Sequence, residues 1–157
     1  MFKQMKKMLK NEKGLTLIEL LAVVVILGII AAIAIPAIGG IIDNTRKDAH
    51  VANAQQMISS AKIAIAGDNS LVPGTTTGDD SQITMADLIA DGFIEELEDP
   101  DGNDGEDVDY AGSLVVVTRG ADTSQLTYSV FLNGSERQIG SAADPAEEDE
   151  LRRAIFD

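Results

Sequence analysis

The sequence predicts an α+β protein in which one long N-terminal helix packs on a small antiparallel β-sheet. Three observations lead to this prediction. A nearly unbroken apolar run extends from Leu20 to Ile38, an amphipathic segment continues to Gly67, and apolar residues alternate with polar ones after residue 125. We therefore expect a transmembrane first half of the helix within residues 15–42. Residues 43–157 should form a globular domain that includes the amphipathic second half.

The apolar run is long enough to cross a bilayer. Its nineteen residues span roughly 28 Å as a helix, which is about the hydrocarbon thickness of a membrane. Residues 1–14 contain five lysines and one glutamate, so the positive-inside rule places the N-terminus in the cytoplasm and the remainder outside. A signal peptide cut after Ala32-Ile33-Ala34 is an alternative, although its apolar region would span only about 7–15 residues.

One carboxylate, Glu19, lies near the start of this apolar segment. An ionisable residue inside a membrane is costly unless it is neutralised or paired, so a functional partner is the default expectation. The alternative is a position near the lipid headgroups, where the cost is small. Position and composition alone leave both interpretations open.

The residues around Glu19 resemble a known processing site. The segment Gly14-Leu15-Thr16-Leu17-Ile18-Glu19 resembles that of type IV prepilins, in which a short basic leader ends in glycine and the apolar helix has glutamate as its fifth residue. Pro36 is residue 22 counted from Leu15, where many pilins also have a proline. The resemblance covers residues 1 to about 66. Leu15 is a departure, because phenylalanine is more frequent in the family at this position.

The resemblance implies a route of processing and assembly. A prepilin peptidase would remove the leader, residues 1–14, by cutting between Gly14 and Leu15, and would methylate the new amine of Leu15. In the filament, the carboxylate of Glu19 would attract the Leu15 amine of a neighbouring subunit, because opposite charges interact strongly in a poor dielectric. The implied partners are further copies of the chain, an assembly ATPase, an inner platform protein and, before assembly, membrane lipid. The implied location is the inner membrane and then an extracellular filament.

Three residues are expected to loosen the helix. Pro36 lacks an amide donor and clashes with the preceding turn, so it favours a kink or a local opening. Gly39 and Gly40 each weaken a helix by about 1 kcal/mol relative to alanine. Similar pilins lose helicity near this proline in the filament, which would let the chain stretch. A simple bend is the alternative that the sequence leaves open.

The amphipathic segment carries an apolar stripe at helical spacing, which predicts a face buried against the sheet. The stripe consists of Val51, Ala54, Ile58, Ala61 and Ile65. Gly67, followed by Asp68-Asn69, predicts the end of the helix. His50 is the only histidine, and it has no cysteine or second histidine with which to form a metal site. We expect it on the helix surface.

Local signals predict the remaining elements. Residues 67–82 are expected to form a surface loop, followed by a short helix that begins with a capping box at Thr84 and ends at Gly92. Strands are expected at 114–117 and 126–132, with Asn133-Gly134 as a hairpin turn into a short strand through Ile139. Asn133-Gly134-Ser135 is also a glycosylation sequon, but a tight turn explains these residues better than glycosylation does.

A last helix is expected to begin at Asp144-Pro145, which resembles an N-cap followed by a first-turn proline. Its apolar face would contain Leu151, Ala154 and Ile155. The chain contains no cysteine, whereas many pilins close their C-terminal region with a disulfide. We expect this region to be held by packing, by ions or by neighbouring subunits.

Acidic residues dominate the globular part. The net charge of the chain is −14, and 79–109 contains thirteen acidic residues and no lysine or arginine. Such a surface repels phosphates, so we expect no strong nucleic-acid binding. The oxygen-rich run after residue 98 includes weak calcium candidates, which are Asp99, Asp101, Asn103 and Asp104. Because Asp104 stands where an EF-hand requires glycine, a solvated acidic loop is favoured and no cofactor is expected.

These observations favour a pilin, the structural subunit of a type IV pilus-like filament for adhesion, motility or DNA uptake. A pseudopilin of a type II secretion system is the alternative. A more remote alternative is an enzyme or ligand-binding ectodomain on a membrane anchor. With one histidine, no cysteine and no G-x-S-x-G motif, the sequence offers no catalytic arrangement, so we expect no enzyme.

Overall fold

The computed structural model describes residues 16–74, 80–102, 110–120 and 125–156. The described elements are helix α1 (Leu17–Gly67), strand β1 (Asp80–Thr84), helix α2 (Met85–Ala90), strands β2 (Leu114–Arg119), β3 (Leu126–Asn133), β4 (Gln138–Ile139) and β5 (Ala146–Glu147), and 3₁₀ turns at Asn69–Leu71, Glu148–Glu150 and Arg153–Phe156. The chain divides into two compact units at residues 42 and 43. The predicted α+β class, with a long helix packed on a small antiparallel sheet, is confirmed.

The first unit contains the apolar part of α1. The large apolar side chains between Leu17 and Ile42 are mostly exposed to the surroundings of the chain. Among the described residues, α1 is the one helix that is long and apolar enough to cross a membrane. Pro36 lies inside this helix, as do Gly39 and Gly40, and the helix is continuous through all three. Their loosening in a filament stays a prediction.

The second unit is built around the remainder of α1. All five residues of the predicted apolar stripe, from Val51 to Ile65, are buried, which confirms that this face packs into a core. The side chains that alternate along the strands complete this core: Ile83 from β1, Val115 and Val117 from β2, Val130 and Leu132 from β3, and Ile139 from β4. The helix ends at Gly67, as expected.

The sheet is antiparallel, with the order β1-β2-β3-β4 and with β5 paired to β3. The predicted hairpin after β3 is confirmed, because Leu132 pairs with Ile139 and Asn133 with Gln138. Asn133, which was expected in the turn, is the last residue of β3. Its turn comprises residues 134–137 and is closed by the Gly134 N–H, which donates to the Arg137 carbonyl at 3.0 Å. This turn brings its residues against α1, at the site described below.

The capping box before α2 is also confirmed. The Asp87 N–H donates to Thr84 Oγ1 at 3.1 Å, and the Thr84 N–H donates to the Asp87 carboxylate at 3.3 Å. Gly92 follows the helix with φ of +76°, a conformation that glycine adopts without strain.

Two predictions of local structure are wrong. Residues 80–82 belong to β1 and not to a loop, because they pair with residues 116–118 of β2. The predicted helix after Asp144 is absent from the described residues, where β5 and two 3₁₀ turns take its place. Ala146 pairs with Val130 and is buried, so tertiary packing keeps the chain extended where local signals favoured a helix.

Candidate functional site

The start of α1 is a capping box formed by Thr16 and Glu19. The Glu19 carboxylate accepts hydrogen bonds from the Thr16 N–H at 2.7 Å and from Thr16 Oγ1 at 2.8 Å. The Glu19 N–H donates in turn to Thr16 Oγ1 at 3.4 Å. This T-x-x-E arrangement satisfies amides that the first turn of a helix leaves without partners. Glu19 therefore has a local partner within one chain, which the sequence analysis missed although the spacing signals it.

The predicted processing residues Gly14 and Leu15 lie outside the described residues. The cut between them, the methylation of Leu15 and the attraction between Leu15 and Glu19 stay predictions. Glu19 itself is exposed on its helix, so its carboxylate is accessible from outside the chain.

His50 is the centre of a buried cluster of charged groups, and its predicted surface position is wrong. Its side chain is 1% exposed. Nε2 lies 3.0 Å from Asp101 Oδ2 and 3.4 Å from Asp99 Oδ1, and Nδ1 lies 2.9 Å from the hydroxyl of Tyr110. The carboxylates come from a loop about fifty positions along the chain, so nothing local to the helix revealed the burial.

Asp101 connects the cluster to two arginines. Its fully buried side chain accepts a hydrogen bond from Arg46 Nη1 at 3.1 Å and forms a second ion pair with Arg137. Arg137 also pairs with Asp43, which lies 3.7 Å from the Lys47 ammonium. Opposite charges therefore alternate through the cluster, and each buried carboxylate has a compensating donor.

Asp99 joins the cluster to the hairpin turn. Its Oδ1 accepts the Asp101 N–H at 2.9 Å, and its Oδ2 accepts the Ser135 N–H at 2.6 Å. Gly134 lies directly against this carboxylate and the His50 ring. The loop at 99–101, the turn at 134–137 and α1 thus meet around two carboxylates.

The environment of both carboxylates favours their charged form. Burial acts to raise the pKa of Asp101, but hydrogen bonds from Arg137 and His50, with the Arg137 charge, hold this pKa below its ordinary value. Burial likewise acts to raise the pKa of Asp99, and the amide hydrogen bonds of Ser135 and Asp101 outweigh it and lower that pKa. The hydrogen bond to Asp101 raises the pKa of Arg137. The cluster is therefore an ionic one at neutral pH.

Histidine and aspartate, the residue types at the centre of this cluster, are also common metal ligands. Ligand atoms of His50, Asp99 and Asp101 lie within 4.8 Å of one another, a spacing that a metal ion could use. However, Asp101 already accepts from two arginines and Asp99 from two amides. The guanidinium groups supply the positive charge that a metal would bring, so the geometry favours an ion-pair cluster. Of the weak calcium candidates, Asn103 and Asp104 lie outside the described residues, and the calcium alternative stays untested. Asp99 and Asp101, which were expected in a solvated acidic loop, are buried instead.

The residues on the helix side of the cluster share one face of α1. Asp43, Arg46, His50 and Asn53 follow one another at intervals of three, four and three, which places them on one face of α1. Asn53 Nδ2 donates to the Tyr110 hydroxyl and to the Glu98 carbonyl, both at 3.0 Å. Apolar residues at helical spacing predict a buried face, whereas polar residues at the same spacing are typical of an exposed one, so this pattern did not predict the burial of His50.

The C-terminal segment is held to α1 by ion pairs and packing. Arg153 pairs with Asp48, and Lys62 pairs with Glu148. Leu151 is buried in the core between these two contacts. Packing, one of the means expected for a chain without cysteine, is therefore present within one chain, and ion pairs between side chains add to it.

A family model described as the prokaryotic N-terminal methylation motif matches residues 9–35. The match includes Gly14, Leu15 and Glu19 together with most of the apolar run. It supports a type IV pilin-like precursor, of pilin or pseudopilin type, and a membrane-anchored N-terminal helix. No curated protein and no solved structure matches the chain.

Proposed function

We propose that this chain is the structural subunit of a type IV pilus-like filament. It is cleaved between Gly14 and Leu15, methylated on Leu15 and polymerised through α1. The observation that carries the proposal is the methylation motif over residues 9–35 at the start of a helix with exposed apolar side chains. Such a surface needs lipid or other subunits around it, because apolar area in contact with water is unfavourable.

The proposed route is the one that the resemblance to type IV prepilins implies. Before assembly, α1 lies in the inner membrane with the basic leader in the cytoplasm, where prepilin peptidase removes the leader. An assembly ATPase and an inner platform protein then move the subunit into the filament outside the cell. There, the Leu15 amine of one copy contacts the Glu19 carboxylate of another. Helices of neighbouring subunits then surround the apolar part of α1 in place of lipid.

The decisive experiment is the intact mass of protein recovered from sheared surface filaments. We expect a chain that begins at a methylated Leu15. A mass that corresponds to cleavage after Ala34, or to the uncut chain, would contradict the proposal. In the variant Gly14→Arg, which alters the residue before the cut, the leader should stay attached and filaments should be lost.

The same preparation separates the two kinds of filament. A pilus subunit should dominate filaments sheared from cells at the native level of expression. Filaments that form only on overexpression, together with a secretion defect in a deletion strain, would instead identify a type II secretion pseudopilin. Assays of adhesion, motility and DNA uptake in the deletion strain then distinguish the roles of a pilus.

The cluster around His50 does not support a catalytic role. The side chains of His50 and Asp101 are buried, and their polar atoms bond to neighbouring residues of the chain. A general acid or base must reach a substrate atom within hydrogen-bond distance, and these groups are enclosed. An ordering role for the cluster fits this geometry better.

A further inference from the structure

The buried cluster connects three segments that are distant in the sequence. We call it the clasp, and its three segments contribute Asp43, Arg46, His50 and Asn53 on α1, Asp99 and Asp101 on the 98–102 loop, and Arg137 on the 134–137 turn. The hydroxyl of Tyr110, from outside these segments, bonds to His50 and Asn53. Asp101 contacts α1 through Arg46 and His50 and contacts the turn through Arg137. Asp99 likewise contacts α1 through His50 and the turn through the Ser135 amide. Each segment is therefore bonded to both of the others.

This connectivity makes the contacts interdependent. Removal of one partner of a buried ion pair leaves a charge without compensation, and this is far more unfavourable than loss of an exposed pair. If Asp101 loses its charge, the remaining positive charges of Arg46 and Arg137 face each other with less compensation. The loop and the turn would then gain solvation by leaving α1 together.

The sheet is connected differently. Strands β1 and β2 pair through five residue positions of β1, none of which belongs to the clasp. Their inward side chains, such as Ile83 and Val115, pack in the apolar core. These strands therefore have their own source of stability and can persist when the clasp opens.

We propose that the clasp is a conformational lock which makes the 98–102 loop, the 134–137 turn and residues 43–53 of α1 one cooperative unit. This unit opens separately from strands β1 and β2, and Asp101 is its central residue. In a chain without cysteine, the lock holds the hairpin turn to the helix by charge instead of by a covalent bond. The proposal concerns a single chain and does not depend on filament assembly.

Hydrogen exchange of the full-length protein in detergent micelles tests the lock. In Asp101→Asn at neutral pH, we expect amides of all three clasp segments to exchange about tenfold faster or more, since a buried ion pair has lost its charge. Amides of β2 should keep their wild-type rates. Asp48→Asn is the matched control, because Asp48 lies on the same helix in an exposed pair with Arg153, and its clasp segments should exchange as in the wild type.

A milder variant keeps the test decisive if Asp101→Asn does not fold. Arg46 is 46% exposed in its side chain, so Arg46→Gln should fold and accelerate the same three segments by a smaller factor. Acceleration confined to one segment, or equal acceleration in β2, would overturn the cooperative unit.

The alternative of a metal site is an outcome of the same measurement. Hydrogen exchange of the wild type and of the variant His50→Gln is measured with and without added Zn²⁺ or Ca²⁺. Equal rates with and without the ions support a lock made of protein groups alone. If an ion slows exchange of the clasp in the wild type but not in His50→Gln, the cluster is a metal site and the proposal of a lock is overturned.

Discussion

Gly134 shows how a single missing side chain shapes the candidate site. An ideal Cβ at this position would lie 2.5 Å from the Arg137 carbonyl oxygen, 3.0 Å from His50 Cε1 and 3.1 Å from Asp99 Oδ2. The first distance involves backbone, which cannot move aside without opening the turn. The sequence marked Gly134 as a hairpin residue, but the structure adds close approach to a buried ring and a carboxylate as a second reason for glycine.

Gly134→Ala should therefore destabilise the globular unit. We expect a loss of about 1–3 kcal/mol in the free energy of unfolding, the usual range for an overpacked site. Urea unfolding of the full chain in micelles, followed by the fluorescence of its two tyrosines, would measure it. Gly67→Ala is the control, because no described atom outside the adjoining residues and backbone of its own helix lies within 4 Å of its ideal Cβ. Equal stability of the two variants would contradict the close approach.

Glu19 has two candidate roles that one pair of substitutions separates. The capping role needs a hydrogen-bond acceptor, which glutamine retains, whereas attraction to the Leu15 amine needs the negative charge. We expect Glu19→Gln and Glu19→Ala both to abolish filaments while the cleaved protein stays in the membrane. Immunoblots of sheared and membrane fractions would show this. Normal filaments from Glu19→Gln would mean that the cap, and not the charge, is what assembly requires.

At the scale of elements, α1 presents first a partly exposed polar face and then a buried apolar face to the rest of the globular unit. Asp43, Arg46, His50 and Asn53 form the polar part, and an apolar part follows from Ala54 to Ile65. The apolar part was predicted because hydrophobic periodicity is a local signal. The polar part was not, because the burial of His50 depends on carboxylates that only the folded chain brings near.

The same distinction explains which other elements could be predicted. Strands β2 and β3 and the capping box of α2 follow from residues within a few positions of one another, and these predictions are confirmed. Strands β1 and β5 form because they pair with residues far away in the sequence: Asp80 pairs with Thr118 and Ala146 with Val130. Turn-rich or acidic composition gave no indication of these pairings. Long-range partners thus decided both strands that sequence reasoning missed.

The packing of α1 on the sheet yields a prediction with an internal control. Ile58 is fully buried, whereas Ile63 on the same helix is 60% exposed. Ile58→Ala should lower the free energy of unfolding by about 2–5 kcal/mol, from lost burial and the cavity it leaves. Ile63→Ala should change it by less than about 0.5 kcal/mol. The urea titration used for Gly134 measures both, and a comparable loss at Ile63 would contradict the orientation of this face.

At the scale of the whole molecule, negative charge is in large excess. Residues 43–157 contain 24 acidic and seven basic residues. Of the basic ones, Arg46, Lys47, Lys62, Arg137 and Arg153 form ion pairs within the chain. The other acidic residues repel one another, which opposes the compact state and is weakened by salt.

These charges predict a stability maximum in mild acid. Acidification from neutral pH first protonates exposed carboxylates and relieves their repulsion, so the urea midpoint should rise. The folded pKa values of Asp99 and Asp101 lie below the ordinary 3.8. Their contribution is therefore complete above about pH 3.8 and is lost as the pH falls through the folded values. Urea midpoints measured from pH 7 to pH 2 would show the maximum, and the midpoint of Asp101→Asn should fall less steeply on the acid side.

Added NaCl should raise the urea midpoint at pH 7, because it screens the exposed charges more than the buried clasp. A midpoint that only falls from pH 7 downward, with no gain from salt, would mean that repulsion does not limit the stability of this domain.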